Sequence, residues 1–228
     1  FIVERLAIAN NEESKDSGFL FEAIQGWVQF FRAGSQITRA EKLLGLIGEL
    51  LAIRDWIELS SFDHLVWQGP LGGLHDFVGA HTAIEVKATG TRTGPIVHKV
   101  SHITQLMPPA KGELYVLSFR LNLGAKGGES VHELVRTVRE IPALKTAEAS
   151  NFLEAALFAG GYSDALDSSM STFSIDQADL FAVEPSFPSL KLNEEELDPR
   201  IIDVVYSMDF SGLQEFKVDL HGDRFEII

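Results

Sequence analysis

Two short strand candidates around a tight turn, residues 74–79 and 82–89, constrain this chain more than any other feature. In the second, Ile84-Glu85-Val86-Lys87 alternates apolar and charged residues. At a period of two, Ile84 and Val86 share one face and Glu85 and Lys87 the other. The apolar face needs a covering layer, and the charged pair beside a core needs partners or a metal. With the turn centred between Ala80 and His81, Asp76 falls opposite Glu85 and faces the same side. Two facing carboxylates repel, and a divalent cation between them is the simplest relief. Lys87, one pleat away, is then within reach of a water or phosphate held by that ion. A surface salt-bridge cluster on a two-stranded ribbon is the other reading of the same residues.

The flanking pattern makes the chain α/β (α+β). Apolar residues recur at near-helical spacing from Phe19 to Phe31, and Gly34-Ser35 ends that run. Thr38 with Glu41 forms a capping box for a second helix that reaches about Trp56. Glu49 lies on this Leu- and Ile-lined helix, either in solvent or reaching toward a polar site, and Gly48 beside it permits close approach to a sheet. Leu65-Val66-Trp67 reads as a strand, and a Gly- and Thr-rich loop spans 89–94. A short element runs over 97–106, stopped by Pro108-Pro109, and the clearest strand covers 113–121. Helices are expected over 129–140 and 146–159, then strands over 173–175, 180–183 and near 201–210. Gly124 to Gly128 reads as a turn after a strand, and Trp27, Trp56 and Trp67 as packing groups.

The 228 residues carry a formal net charge of −14, which by itself argues against nucleic acid. The distribution of that charge along the chain leaves the partner undecided. Residues 146–228 have a net charge of −13, whereas 86–126 have a net charge of +5. Cysteine is absent, which excludes disulfides, thiol nucleophiles and Cys-based zinc sites. No apolar run approaches a membrane span and no signal peptide is visible, so a cytoplasmic protein is expected, with no membrane partner. Phe1 in place of Met suggests a shortened N-terminus. His98 and His102 have the spacing of a metal pair but no third ligand, so they read as exposed histidines in the basic stretch. Glu194-Glu195-Glu196 reads as a solvated loop.

Asp76, Glu85-x-Lys87 and the upstream Glu49 resemble the signature of the PD-(D/E)XK nuclease superfamily, with its restriction-endonuclease-like fold. Residues 45–50, 67–70, 75–77, 84–87 and 105–106 are similar to an uncharacterised bacterial branch often encoded beside restriction and phage-defence genes. The likeness continues to Val205-Tyr206. His75 stands where the motif's proline would be, and Pro109 occupies the place of the tyrosine of a Gln-x-x-x-Tyr variant.

The resemblance implies a mixed central sheet flanked by helices. It divides the chain into an N-terminal segment 1–37, a nuclease core 38–145 and an acidic extension 146–228 packed on that core. It implies a DNA endonuclease in which Asp76, Glu85 and the Val86 carbonyl hold Mg2+, with Mn2+ as a substitute. Lys87 would stabilise charge on the phosphate, Glu49 would bind the metal through water, and Gln105 would be accessory. Arg92, Lys99, His98 and His102 would face nucleic acid. Partners would be DNA and proteins of the same defence system, and a homodimer is one assembly the fold allows. The rival readings are a non-catalytic subunit that binds nucleic acid or a partner protein, and a nuclease acting on RNA.

Overall fold

Thr38 starts the first described helix as the capping box requires. Its backbone N–H donates to Glu41 Oε2 at 2.7 Å, and the Glu41 N–H donates to Thr38 Oγ1 at 3.2 Å. The computed structural model describes residues 38–58, 67–166, 170–191, 198, 200–219 and 225–226. The chain divides into two units, residues 1–36 and 37–228, and the first lies outside the described residues, as does the helix expected over 19–31. So do residues 65 and 66 of one expected strand and the Glu194–Glu196 loop.

Helix α1 (Arg39–Leu51) buries Leu43, Leu44, Leu46, Ile47, Leu50 and Leu51, and passes into a π-helical turn, Ala52–Trp56. The strands are β1 (Ile57–Glu58), β2 (Phe77–Val78), β3 (Thr82–Thr89), β4 (Val97–Val100), β5 (Glu113–Leu123), β6 (Glu129–Ser130), β7 (Thr172–Ala182), β8 (Tyr206–Asp209), β9 (Lys217–Val218) and β10 (Phe225–Glu226). Helices α2 (Val131–Arg139) and α3 (Ala147–Ala159) lie between β6 and β7.

The central sheet has the order β2-β3-β5-β7-β6, with β9 also on β7. Strands β3 and β5 are parallel and the other neighbours antiparallel, so the sheet is mixed, as expected. Cross-strand partners share a face. Val86, Leu117 and Leu180 therefore line one side, and Glu85, Val116 and Phe181 the other. Helix α1 packs on the first side through Gly48, where an added Cβ would lie 3.1 Å from Val86 and 3.3 Å from Ala88. The glycine thus permits the close approach its position predicts. The second side is covered by the β4–β8 ribbon, whose Val100 and Met208, with Phe210 just after β8, join Val116, Phe181 and Phe187 in one buried cluster.

Segment 146–228 supplies β7 and β9 to the central sheet. The two strands expected over 173–175 and 180–183 are a single β7. Of the residues between them, Gln177, Ala178 and Asp179 pair with β5, and the register shift at Arg120/Leu121 skips Asp176. Gly124 and Gly127 turn the chain after β5 with φ of 72°, a left-handed conformation that suits glycine. Among the described residues no helix is long and apolar enough to cross a membrane.

Candidate active site

The pairs Phe77↔Ile84 and Val78↔Ala83 set the register that puts Asp76 opposite Glu85. Strand β2 ends there, and from Glu85 onward the edge of β3 meets the Asp76 side chain instead of a strand. The Val86 N–H donates to Asp76 Oδ2 at 2.7 Å. A residue's N–H and C=O point to the same edge of an extended strand, so the Val86 carbonyl faces that side too.

Glu85 is 2% exposed and is held from two directions. Lys87 Nζ lies 2.7 Å from its Oε1, and Gln105 Nε2 donates to the same oxygen at 2.7 Å. Gln105 Oε1 in turn accepts from Lys87 Nζ at 3.0 Å and from the Ser101 N–H at 2.9 Å. Gln105 thereby fixes acid and amine relative to each other. Glu49 reaches inward from α1, and its Oε2 accepts from Trp67 Nε1 at 2.6 Å. Trp67 is fully buried between Phe77 and Phe152. Gly69 closes the group. A Cβ there would stand 2.6 Å from Asp76 Oδ1 and 2.7 Å from Glu49 Oε2, so the two oxygens face one small space under its backbone.

The three carboxyls share too little positive charge. Burial pushes Glu85 up to about 8, helped by the Asp76 charge and opposed by Lys87. Burial likewise raises Asp76, against Lys87 and the Val86 N–H. Burial raises Glu49 well above the usual carboxylate range; the charge of Asp76 adds to this and the Trp67 hydrogen bond opposes it. Glu85 Oε2 is buried with no hydrogen-bond partner. Hard oxygens short of positive charge, one of them unpartnered, fit a divalent cation of the Mg2+ type. Among the described residues no group of three or more His, Cys, Asp or Glu side chains is arranged to hold a metal. Such an ion would therefore rest on two carboxylates, a carbonyl and water.

The expected nucleic-acid contacts divide. Arg92, Lys99 and His102 are exposed, Arg92 bonding Asn122 Oδ1 at 2.7 Å. His98 is a correction: it is 2% exposed, its Nε2 lies 2.7 Å from Ser118 Oγ, and its ring packs edge-on against Phe210. On β4 the outward residues are Val97 and Lys99 and the inward ones His98 and Val100, whereas His102 lies beyond the end of the strand and is exposed, so one histidine is in the core and the other at the surface. Burial, with the nearby Lys87 charge, depresses His98 to about 3 and keeps it neutral.

Sequence reasoning missed Trp67 and Gly69 as site residues, although both lie in the Trp-Gln-Gly-Pro run it singled out. It also missed His75, which is 6% exposed with Nε2 unpartnered, and whose protonation burial disfavours. Residues 2–211 match the model of family DUF4420, described as "Putative PD-(D/E)XK family member". No curated protein and no solved structure matches the chain.

Proposed function

The chain belongs to this PD-(D/E)XK family, and on that premise we propose that it is a metal-dependent nuclease hydrolysing phosphodiester bonds of DNA. The observation that carries the reading is the convergence of Asp76, Glu85 and Lys87 at the free edge of β3, with Glu49 facing Asp76 under Gly69. Asp76, Glu85 and the Val86 carbonyl would hold Mg2+ or Mn2+, and Glu49 would reach it through water. When bound, such an ion supplies polarisation of the scissile phosphate and acidification of an attacking water.

The remaining roles belong to the chain. Lys87 donates to Glu85 and Gln105, which leaves one ammonium hydrogen for a phosphate oxygen, where it stabilises charge growing in the transition state. Gln105 holds that ammonium in place. Trp67 fixes the Glu49 oxygen that faces Asp76 under Gly69. Arg92, Lys99 and His102 form the basic approach for the nucleic-acid backbone. The setting we propose is cytoplasmic, in a bacterial restriction or phage-defence system.

Supercoiled plasmid and, separately, RNA incubated with the purified protein in Mg2+ or Mn2+ test the reading. Nicking of plasmid that Asp76→Ala and Lys87→Ala abolish supports it. Cleavage of RNA alone overturns the DNA assignment. No cleavage by wild type, or cleavage that survives both substitutions, overturns the catalytic one and leaves a binding subunit.

A further inference from the structure

Five polar or charged residues are buried among the described ones: His75, Glu85, His98, Ser118 and Asp179. Glu85 belongs to the site and His75 borders it. The other three form a row beside Lys87 that the proposed chemistry does not use. Lys87 pairs with Ser118 across β3 and β5, and Ser118 pairs with Asp179 across β5 and β7. Cross-strand partners face one side, so amine, hydroxyl and carboxylate stand in line on the face that carries Glu85. His98 reaches down from β4 onto the middle member, Nε2 to Ser118 Oγ.

Burial of such groups is costly unless each is satisfied, and the row is arranged to satisfy them separately. Asp179 takes Lys217 Nζ at 2.5 Å on one oxygen and Gln177 Nε2 at 2.6 Å on the other. Its charge is thus matched from the far side of β7. Lys87 takes Glu85 and Gln105 on the near side. In the row between them stands Ser118, with the His98 imidazole on its hydroxyl. Two strand spacings, about 10 Å, separate the Lys87 and Asp179 backbones. A lysine and an aspartate side chain together span that gap, so Asp179 is a competitor for the Lys87 ammonium.

We propose that His98 and Ser118 form an uncharged, hydrogen-bonded partition that keeps the Lys87 ammonium on Glu85 and Gln105 and away from Asp179. They are positioning residues for Lys87 and touch no substrate. Any anion placed at the partition would draw the ammonium out of the site, whereas a neutral hydrogen-bonding replacement would not. The kinetic consequence rests on the nuclease reading, but the placement of Lys87 does not.

The test compares His98→Gln with His98→Glu, which match in size and differ in charge. In a crystal structure of His98→Gln, Lys87 Nζ stays on Glu85; in His98→Glu it moves to the introduced carboxylate. On plasmid, His98→Gln keeps a kcat close to wild type, and His98→Glu loses about 100-fold in kcat with little change in KM. Should His98→Glu fail to fold, Ser118→Asp puts the carboxylate directly across from Lys87 and is read the same way. Lys87 remaining on Glu85 beside the introduced carboxylate overturns the partition, as do equal kcat values for the two His98 variants. An inactive wild type refutes only the nuclease reading, and the two crystal structures still decide the partition.

Discussion

Glu85→Gln should flatten the pH dependence of stability of the metal-free protein. In the folded chain the Glu85 carboxyl is pushed from its ordinary 4.5 up to about 8, by burial first and then by Asp76, against the pull of Lys87. Between those values the folded protein holds a proton that the unfolded chain has released. Stability therefore falls as pH rises through that window, and the contribution is level below 4.5 and above about 8. At 1.36 kcal/mol per pKa unit the full loss approaches about 5 kcal/mol. Glutamine removes the titration but keeps an oxygen for Lys87 and Gln105. The variant should match wild type near pH 5 and exceed it increasingly toward pH 8. Saturating Mg2+ should flatten the wild-type curve as well, because the cation favours the ionised carboxylate. Urea unfolding in chelator, followed by circular dichroism at intervals across that range, gives the curves. Asp76 and Glu49, shifted in the same direction, contribute to both proteins. Parallel curves for wild type and Glu85→Gln would refute the claim that this carboxyl is buried short of positive charge.

Gly69→Ala places a methyl group 2.6 Å from Asp76 Oδ1 and 2.7 Å from Glu49 Oε2. Calorimetric titration should show Mg2+ affinity lowered by about 10-fold or more, as for other losses of outer-shell order. Trp67→Phe keeps the stack on Phe77 but removes the donor to Glu49 Oε2, and should cost about 1–3 kcal/mol in urea unfolding. Arg92→Glu with Lys99→Glu should weaken binding to any duplex sequence equally and make the salt dependence of log K shallower by about 2, read by fluorescence anisotropy in a salt series. Unchanged slopes would remove these two side chains from the nucleic-acid face.

What the sequence determined was local and periodic. Alternation through Ile84-Glu85-Val86-Lys87 and a turn at Ala80-His81 were enough to place Asp76 opposite Glu85, because a hairpin's register follows from its turn. Thr38 with Glu41, and Gly48 facing the sheet, were legible for the same reason: a cap spans three residues, and a missing side chain on an apolar face has few uses. What only the tertiary structure decided depends on groups distant in the chain. Whether Glu49 lay in solvent or in the site turned on Trp67, eighteen residues away, which donates to it from a fully buried ring. His98 carries no sign in its neighbours that Ser118 of the central sheet and Phe210 will enclose it, and so a basic-looking stretch hides a neutral core histidine. The acidic C-terminal part reads as a family-specific extension of the core. Its strand β7 pairs with β5, and that pairing brings Asp179 into line with Lys87. Periodicity reports which face of an element is apolar, and packing alone decides what lies against it.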